Sequence, residues 1–166
     1  PKGVITSRED REGRKTVFDV LPKDLPYTIT IGRLDYNTSG LLLLTNDGGV
    51  ARYLELPSTG WRRRYRVRAY GKIQQKMLAE IEKGAMVEGV KYAPAEIVKE
   101  STKGDNHWFI VTLTEGKNRE IRKLFAYAGL QVNRLIRTAY GPFQLGKLPE
   151  NAVKEISHKV LMEQLG

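Results

Sequence analysis

The chain has 166 residues and a formal charge of +9, with 28 lysines and arginines against 19 acidic residues. This length suffices for one domain with a substantial core, and the charge either serves solubility or indicates a polyanionic partner, because cations that neutralise phosphates release counterions. The absence of cysteine excludes disulfides and thiolate metal sites, and no apolar stretch approaches the roughly 20 residues of a membrane span.

The N-terminal segments predict short elements separated by a charged loop. We expect a strand over Pro1–Ser7 and a mobile loop over residues 8–15, which are almost all charged or glycine. A short apolar cluster, residues 17–21, ends at Pro22. The β-branched run Thr28–Ile31 predicts a strand.

A polar loop, residues 32–40, leads from this strand into four leucines, Leu41–Leu44, which predict a buried strand. Asp35 lies in that loop, where a carboxylate next to a rigid element is well placed to be reactive. From spacing alone, an Asx-type turn around residues 37–39 is the simpler interpretation of Asp35. The turn Asn46–Gly49 predicts a helix from Val50 that ends before Pro57.

Five arginines occupy seven consecutive positions in residues 62–68. In a strand, Tyr65, Val67 and Ala69 would share one face, and Arg66, Arg68 and Tyr70 the other. The arginine face could simply be solvated, but so many like charges repel one another unless an anion lies nearby. Tyr65 begins the apolar face and could be an ordinary core aromatic.

The middle of the chain predicts structural elements. Residues 74–83 have helical apolar spacing and should form a helix outside a sheet. Strands are expected over residues 92–98 and 108–114, joined by a turn at 101–106. Neither His107 nor His158 has other ligands spaced around it, so no metal site is expected.

Ile121, Leu124, Phe125 and Ala128 recur at helical spacing and predict a helix from about Asn118. Arg122 lies beside this apolar stripe. It is therefore either a surface group with a buried stem or half of a partly buried ion pair. Lys117 and Arg119 should be exposed at the helix start.

Residues 131–145 predict two strands, with Arg134, Arg137 and Tyr140 among apolar residues. Residues 151–165 predict a closing amphipathic helix whose inward side chains are Val153, Ile156, Val160 and Leu161. Strands and helices do not alternate regularly. We therefore expect an α+β fold with a mainly antiparallel mixed sheet, flanked by helices and containing a central cleft.

Three motifs resemble one family. The run GRLDYNTSGLLLLTNDG from Gly32, the Arg-x-Tyr-x-Val pattern around Tyr65, and NREIR at residues 118–122 closely resemble motifs of the RsuA-type ribosomal RNA pseudouridine synthases, a branch that includes the RluB-like enzymes. The segment Gly129–Arg137 resembles the RluB-like members, which act on large-subunit RNA, and RLIRTAYG at residues 134–141 resembles the family region that closes the catalytic sheet and helps line the cleft. The resemblance extends from Pro1 to about Pro149. It implies that Asp35 is catalytic, that Tyr65 stacks on the target uracil, and that Arg122 pairs with Asp35.

The resemblance also implies the activity: site-specific isomerisation of uridine to pseudouridine in ribosomal RNA, with 23S RNA as the expected substrate, by base flipping. It implies no metal or other cofactor and a cytoplasmic location, and a monomer is the default expectation. We expect residues 1–166 to be the catalytic domain of a longer protein with an upstream S4 RNA-binding domain. Two lobes are expected, at about 1–60 with 115–150 and at 61–114. The expected RNA contacts are Lys2, Arg33, Arg62, Arg63, Arg64, Arg66, Lys117, Asn118 and Arg119.

Three alternatives remain open at the level of sequence. A non-catalytic basic module for ribosome assembly would explain the charge equally well, but not a carboxylate among so many arginines. A small-subunit (16S) pseudouridine synthase would share the same motifs. A glycosidase-like hydrolase is disfavoured, because no second carboxylate is evidently paired with Asp35.

Overall fold

The computed structural model describes residues 1–7, 12–56 and 60–165. The described chain forms short helices around one large sheet, with additional small strand pairs. In chain order the elements are α1 (Val17–Val20), β1 (Ile29–Ile31), β2 (Ser39–Gly40), β3 (Leu43–Thr45), α2 (Gly48–Glu55), β4 (Arg63–Tyr70), α3 (Gln75–Glu82), β5 (Met86–Val87), β6 (Val90–Lys91), β7 (Glu96–Lys103), β8 (Asn106–Leu113), α4 (Glu120–Tyr127), β9 (Gln131–Tyr140), β10 (Phe143–Gln144) and α5 (His158–Leu165).

The large sheet has the strand order β10-β9-β4-β8-β7, and all of these neighbours pair antiparallel. β2 adds to β9 in parallel. The separate pairs β1–β3 and β5–β6 are also antiparallel. The predicted α+β fold with a mainly antiparallel mixed sheet and flanking helices is confirmed.

The main core lies on one face of this sheet. Along β4, the fully buried Val67 and Ala69 alternate with arginines, because successive side chains of a strand point to opposite faces. Helices α3 and α4 cover the Val67 face, and the ring of Phe125 meets that of Phe109 edge-on at 5.3 Å. The buried residues of this core include Leu78, Ile81, Val111, Leu113, Ile121, Leu124 and Leu135.

A second cluster joins β1, β3 and α2 to the end of β9. Asp47 caps α2 by accepting hydrogen bonds from the backbone N–H groups of Gly49 and Val50. The predicted capped helix is therefore present, and Pro57, its predicted limit, lies outside the described residues. The two predicted lobes stay a prediction.

The expected N-terminal strand over Pro1–Ser7 is wrong. Among residues 1–7, 12–56 and 60–165, this segment forms a single isolated bridge, between Ile5 and Thr16. Residues 8–11 of the predicted loop lie outside the described chain, and residues 12–15 are exposed.

The hairpin of β7 and β8 is displaced from its predicted position. Its turn is at Gly104 and Asp105, so most of the predicted turn is strand. Tyr92, the expected start of the first strand, precedes β7 and is buried in the main core.

The predicted C-terminal helix is shorter than expected and is not inward-facing. α5 contains no buried residue, and Val153 and Ile156 precede it with exposed side chains. Val160 is also exposed. Leu161 and Leu165 are partly buried and pack against the second cluster. The amphipathic spacing of this segment therefore does not correspond to a buried face of α5.

Candidate active site

The loop that carries Asp35 is closed by a backbone turn. The N–H of Thr38 donates to the carbonyl of Asp35 at 2.9 Å. The Asp35 side chain is half-buried, and its carboxylate forms no hydrogen bond or ion pair with residues 1–7, 12–56 or 60–165. The Asx-type turn considered from the sequence therefore does not engage this carboxylate within the described chain.

Helix α4 holds the loop from one side. Nη2 of Arg122 donates to the carbonyl oxygen of Asn37 at 2.9 Å, two residues beyond Asp35. Burial lowers the pKa of Arg122, the charge of Arg119 lowers it further, and the charge of Asp35 acts in the opposite direction. Arg122 and Asp35 thus interact electrostatically. Both residues belong to the described chain, and their side chains form no ion pair within 4.0 Å. Arg122 instead contacts the Asp35 loop at the backbone carbonyl of Asn37.

Strand β9 holds the other end of the loop. Gly40 pairs with Arg137, and the N–H of Leu41 donates to the Arg137 carbonyl at 2.8 Å. Gly40 has a φ of +115°, and a Cβ at this position would overlap the Arg137 backbone. Only glycine therefore allows the loop to approach β9 this closely.

Tyr65 lies on the neighbouring strand, directly opposite Arg137 in the β4–β9 pairing. Its side chain is half-buried and packs against the main core. Burial raises the pKa of the Tyr65 hydroxyl, and the nearby positive charge of Arg137 partly offsets that rise. The Asp35 loop and Tyr65 are therefore both neighbours of Arg137 on strand β9.

Arg137 and Arg63 form a buried cationic pair around Tyr140. Arg137 is 3% exposed and donates from Nε to the carbonyl of Leu41 at 2.9 Å. Both guanidinium groups lie against the Tyr140 ring, at 5.1 Å for Arg137 and 4.9 Å for Arg63. The Nη2 atom of Arg137 is buried without a partner among the described residues.

The predicted RNA contact at Arg63 is not supported by its position. Arg63 is 7% exposed and donates to the carbonyls of Trp61 and Thr114, at 3.0 Å each, and to the Tyr140 hydroxyl at 3.1 Å. It lies on the same face of β4 as Tyr65. Its role in this structure is to join β4 to β9 and to the end of β8.

The other predicted RNA contacts fall into two groups. Arg64 and Arg66 alternate with Arg63 and Tyr65 along β4, so they project from the opposite face of the strand. Arg62 directly precedes β4 and lies on the same side as Arg64 and Arg66. Lys2, Arg33, Asn118 and Arg119 are exposed. Lys117 is also exposed, but its ammonium pairs with Glu115 at 3.3 Å and contacts the carbonyl of Lys91.

Glu120, at the first turn of α4, is a buried acid that was not among the expected site residues. It is 3% exposed, its Oε1 accepts from the N–H of Lys117 at 3.1 Å, and its Oε2 is buried without a hydrogen-bonding donor among the described residues. Burial and the neighbouring charge of Glu115 raise the pKa of Glu120 to about 8. A proton on this carboxyl allows it to donate to Glu115.

The sequence contains signals for the burial of both Arg137, which lies in a segment expected to help line the cleft, and Glu120, which was not expected at the site. Arg137 occupies the inward position between Leu135 and Ala139 in an alternating strand, and Glu120 directly precedes the buried stripe that begins at Ile121. A charged residue at an inward position is uncommon unless it is paired. Charged residues at inward positions are therefore candidates for side chains that hold a functional site in place from inside the protein.

Two cavities of the described chain lie away from the candidate site residues. They have volumes of about 100 Å³, beside α3, and about 410 Å³, beside Trp61, and neither is lined by Asp35, Tyr65 or Arg122. In the described part of the chain, no group of three or more His, Cys, Asp or Glu residues could hold a metal ion. No described helix is long and apolar enough to cross a membrane.

The fold is that of a pseudouridylate synthase. A crystal structure of a pseudouridylate synthase superposes with a TM-score of 0.86 at 25% identity, covering 100% of this chain and 70% of that one. The archaeal box H/ACA sRNP Nop10-Cbf5 complex shares the fold more distantly, with a TM-score of 0.60 at 19% identity over 87% of this chain and 46% of that one.

The sequence places the chain within that class. The pattern of the RNA pseudouridylate synthase family matches residues 1–127, and the protein belongs to this family of RNA isomerases. An RNA pseudouridine synthase of Rickettsia felis is 50% identical, covering 97% of this chain and 69% of its own. Ribosomal large subunit pseudouridine synthase B of Yersinia pestis is 44% identical, covering 96% of this chain and 51% of its own.

Proposed function

We propose that the protein isomerises uridine to pseudouridine in ribosomal RNA, that the substrate is the large-subunit (23S) RNA, and that Asp35 is the catalytic carboxylate. The relatives named ribosomal large subunit pseudouridine synthase B support the choice of RNA. The proposal also assigns the protein to the cytoplasm, as a monomer.

The observation that carries the proposal is the double attachment of the Asp35 loop. Arg122 holds it from α4 through Asn37, and Arg137 holds it from β9 through Leu41. The carboxylate itself forms no hydrogen bond with the described residues. A rigidly held acid without a bond of its own is what a reacting group requires, because fixed geometry contributes much of the rate.

Each group then has a part in the chemistry. The C1′–N1 bond of uridine breaks, the base turns over, a C1′–C5 bond forms, and the proton lost from C5 is balanced by one gained at N1. The target nucleotide must leave its stack to reach the protein. We assign uracil stacking to Tyr65, bond cleavage to Asp35 as nucleophile or base, and orientation of the Asp35 loop to Arg122.

The proposed contacts to the RNA backbone are three exposed cations near this loop, Lys2, Arg33 and Arg119, and the exposed amide of Asn118. Arg63 is left out because it is buried and bonded within the protein. The proposal predicts that RNA affinity falls as salt rises.

The test is to incubate the protein separately with unmodified 23S and 16S ribosomal RNA and to map pseudouridine at nucleotide resolution. We expect one or a few modified positions in 23S RNA and none in 16S RNA. Modification of 16S RNA alone would overturn the substrate assignment. Tight RNA binding without any pseudouridine would favour the non-catalytic module considered from the sequence.

A further inference from the structure

The sheet face opposite the Asp35 loop is rich in arginine and is not part of either apolar core. We call it the arginine face and define it by Arg64, Arg66, Arg68 and Tyr70 of β4, Trp108 of β8 and Arg134 of β9. These side chains share a face because they are direct cross-strand partners or alternate along one strand. None belongs to either core cluster, and α3 and α4 lie on the other face.

Stacking on Trp108 fixes two of these cations. The guanidinium carbon of Arg66 lies 4.3 Å from the Trp108 ring centroid, and that of Arg68 lies 5.6 Å from it. Arg68 also donates from Nε to Asn133 Oδ1 at 2.6 Å. Two flexible cations are therefore held in place before any ligand binds, which reduces the entropy that binding would cost.

Among the described residues, acidic side chains neutralise the arginines of this face along β7 but not toward β9. Along β7, Glu96 pairs with Arg62 at 3.1 Å and Glu100 pairs with Arg66 at 2.6 Å. Toward β9, Arg64, Arg68 and Arg134 form no ion pair with the described acidic residues. Arg68 and Arg134 are moreover direct cross-strand partners, a pairing of like charges that destabilises a sheet unless an anion lies between them.

We propose that the arginine face is a second RNA-binding surface, separate from the catalytic site, that binds a single-stranded segment of the substrate along β4 and β9. The inference rests on the proposed function only in taking RNA as the polyanion. It assigns backbone phosphates to Arg64, Arg68 and Arg134.

The aromatic groups favour a single strand over a duplex. Tyr70 is 52% exposed at the end of the arginine row, and the Trp108 ring with its stacked arginines adds a flat cationic surface. Open sheets that carry aromatic side chains bind unstacked bases, and single strands combine such stacking with contacts to a cationic surface. A duplex keeps its bases stacked inside and would use only the charges.

The test measures binding rather than catalysis, so it does not depend on the proposed activity. Fluorescence anisotropy of a labelled oligoadenylate, which contains no uridine, gives Kd over a range of salt concentrations. The double variant Arg64→Gln/Arg134→Gln is compared with wild type and with Arg52→Gln, an exposed arginine of α2. We expect the double variant to bind about tenfold more weakly, with a salt slope smaller by about 1.4, whereas Arg52→Gln matches wild type.

A second measurement locates the RNA. The chain has two tryptophans, so Trp61→Phe leaves Trp108 as the only one, and oligoadenylate should quench its fluorescence saturably with the same Kd. Unchanged Trp108 emission at saturating RNA would overturn the proposal. So would a double variant whose affinity and salt slope equal those of Arg52→Gln, or a duplex that binds more tightly than the single strand through the same arginines.

Discussion

Tyr65 and Arg137 face each other across strands β4 and β9, immediately after a shift in the register of that pair. Such irregularities redirect side chains and are common next to active sites. Arg137 also binds Leu41, at the end of the Asp35 loop, through its carbonyl and its Nε. One buried arginine therefore adjoins both the loop that carries the proposed catalytic acid and the tyrosine proposed to stack on the uracil.

Replacing Arg137 should reduce turnover as well as stability. Arg137→Ala leaves the buried carbonyl of Leu41 without the donor it has in this structure, at a cost of about 1–3 kcal/mol. Because Tyr65 and the Asp35 loop would shift, kcat should fall about 100-fold. Arg137→Lys keeps the charge without the fork of donors and should recover stability more than kcat. Single-turnover assays and urea unfolding check this, and full kcat in a destabilised Arg137→Ala protein would limit Arg137 to a structural role.

Gly40 should not tolerate a side chain. A Cβ there would meet the Arg137 backbone, whereas Gly104, which also has positive φ, has no heavy atom within 4 Å of such a Cβ. Gly40→Ala should therefore cost about 1–3 kcal/mol more than Gly104→Ala in urea unfolding. Equal losses of unfolding free energy in the two variants would mean that positive φ, and not the contact with the Arg137 backbone, requires glycine at position 40.

Arg122→Lys should separate orientation from binding. The lysine cannot reproduce the donation from Nη2 to the Asn37 carbonyl, so the loop that carries Asp35 would lose its tie to α4. We expect kcat to fall by about 10-fold to 100-fold, with KM changed much less. Lys123→Gln, one position further along α4, serves as the matched control. A change in KM alone would indicate that Arg122 contacts RNA instead of positioning the loop.

The buried acid Glu120 should make stability depend on pH. Its pKa is about 8 in the folded protein, against 4.5 for an unperturbed glutamate. Between these values the folded state holds a proton that the unfolded state has lost, so the free energy of unfolding should fall as pH rises through this window and level off above it.

Glu120→Gln should remove most of this dependence, because the amide can donate to Glu115 at any pH. Thermal unfolding from pH 5 to pH 9 measures the effect, with the exposed Glu82→Gln as control. If the Tm of the wild type rose from pH 5 to pH 9 relative to the Tm of each variant, the argument from the burial of Glu120 would be contradicted.

Elements with strong local patterns were predictable from the sequence. The alternation of β4 and the helical stripe of α4 each bury the side chains expected. The C-terminal segment failed because burial depends on a partner surface as well as on spacing, and Val153 and Ile156 find none. The turn of the β7–β8 hairpin was misplaced because Ser101–Lys103, polar residues typical of turns, are paired with β8.

The candidate site was likewise only partly predictable from the sequence. The motifs indicated Asp35, Tyr65 and Arg122, but sequence spacing could not show that Arg137 adjoins both Tyr65 and the Asp35 loop, because the parallel pairing of β2 with β9 joins residues far apart in the chain. Charge alternation indicated the arginine row correctly. Only the position of α4 and the Asp35 loop showed that the row lies on the opposite face of the sheet from them.

The most direct measurement of the central claim compares Asp35→Asn with Asp24→Asn, an exposed acid in the turn before β1. Pseudouridine formation on a ribosomal RNA fragment and affinity for the same fragment are measured for both proteins. The account predicts that Asp35→Asn forms no detectable product while its Kd stays within about threefold of wild type, and that Asp24→Asn is fully active. Product formation by Asp35→Asn near the wild-type rate would show that this carboxylate is not the catalyst.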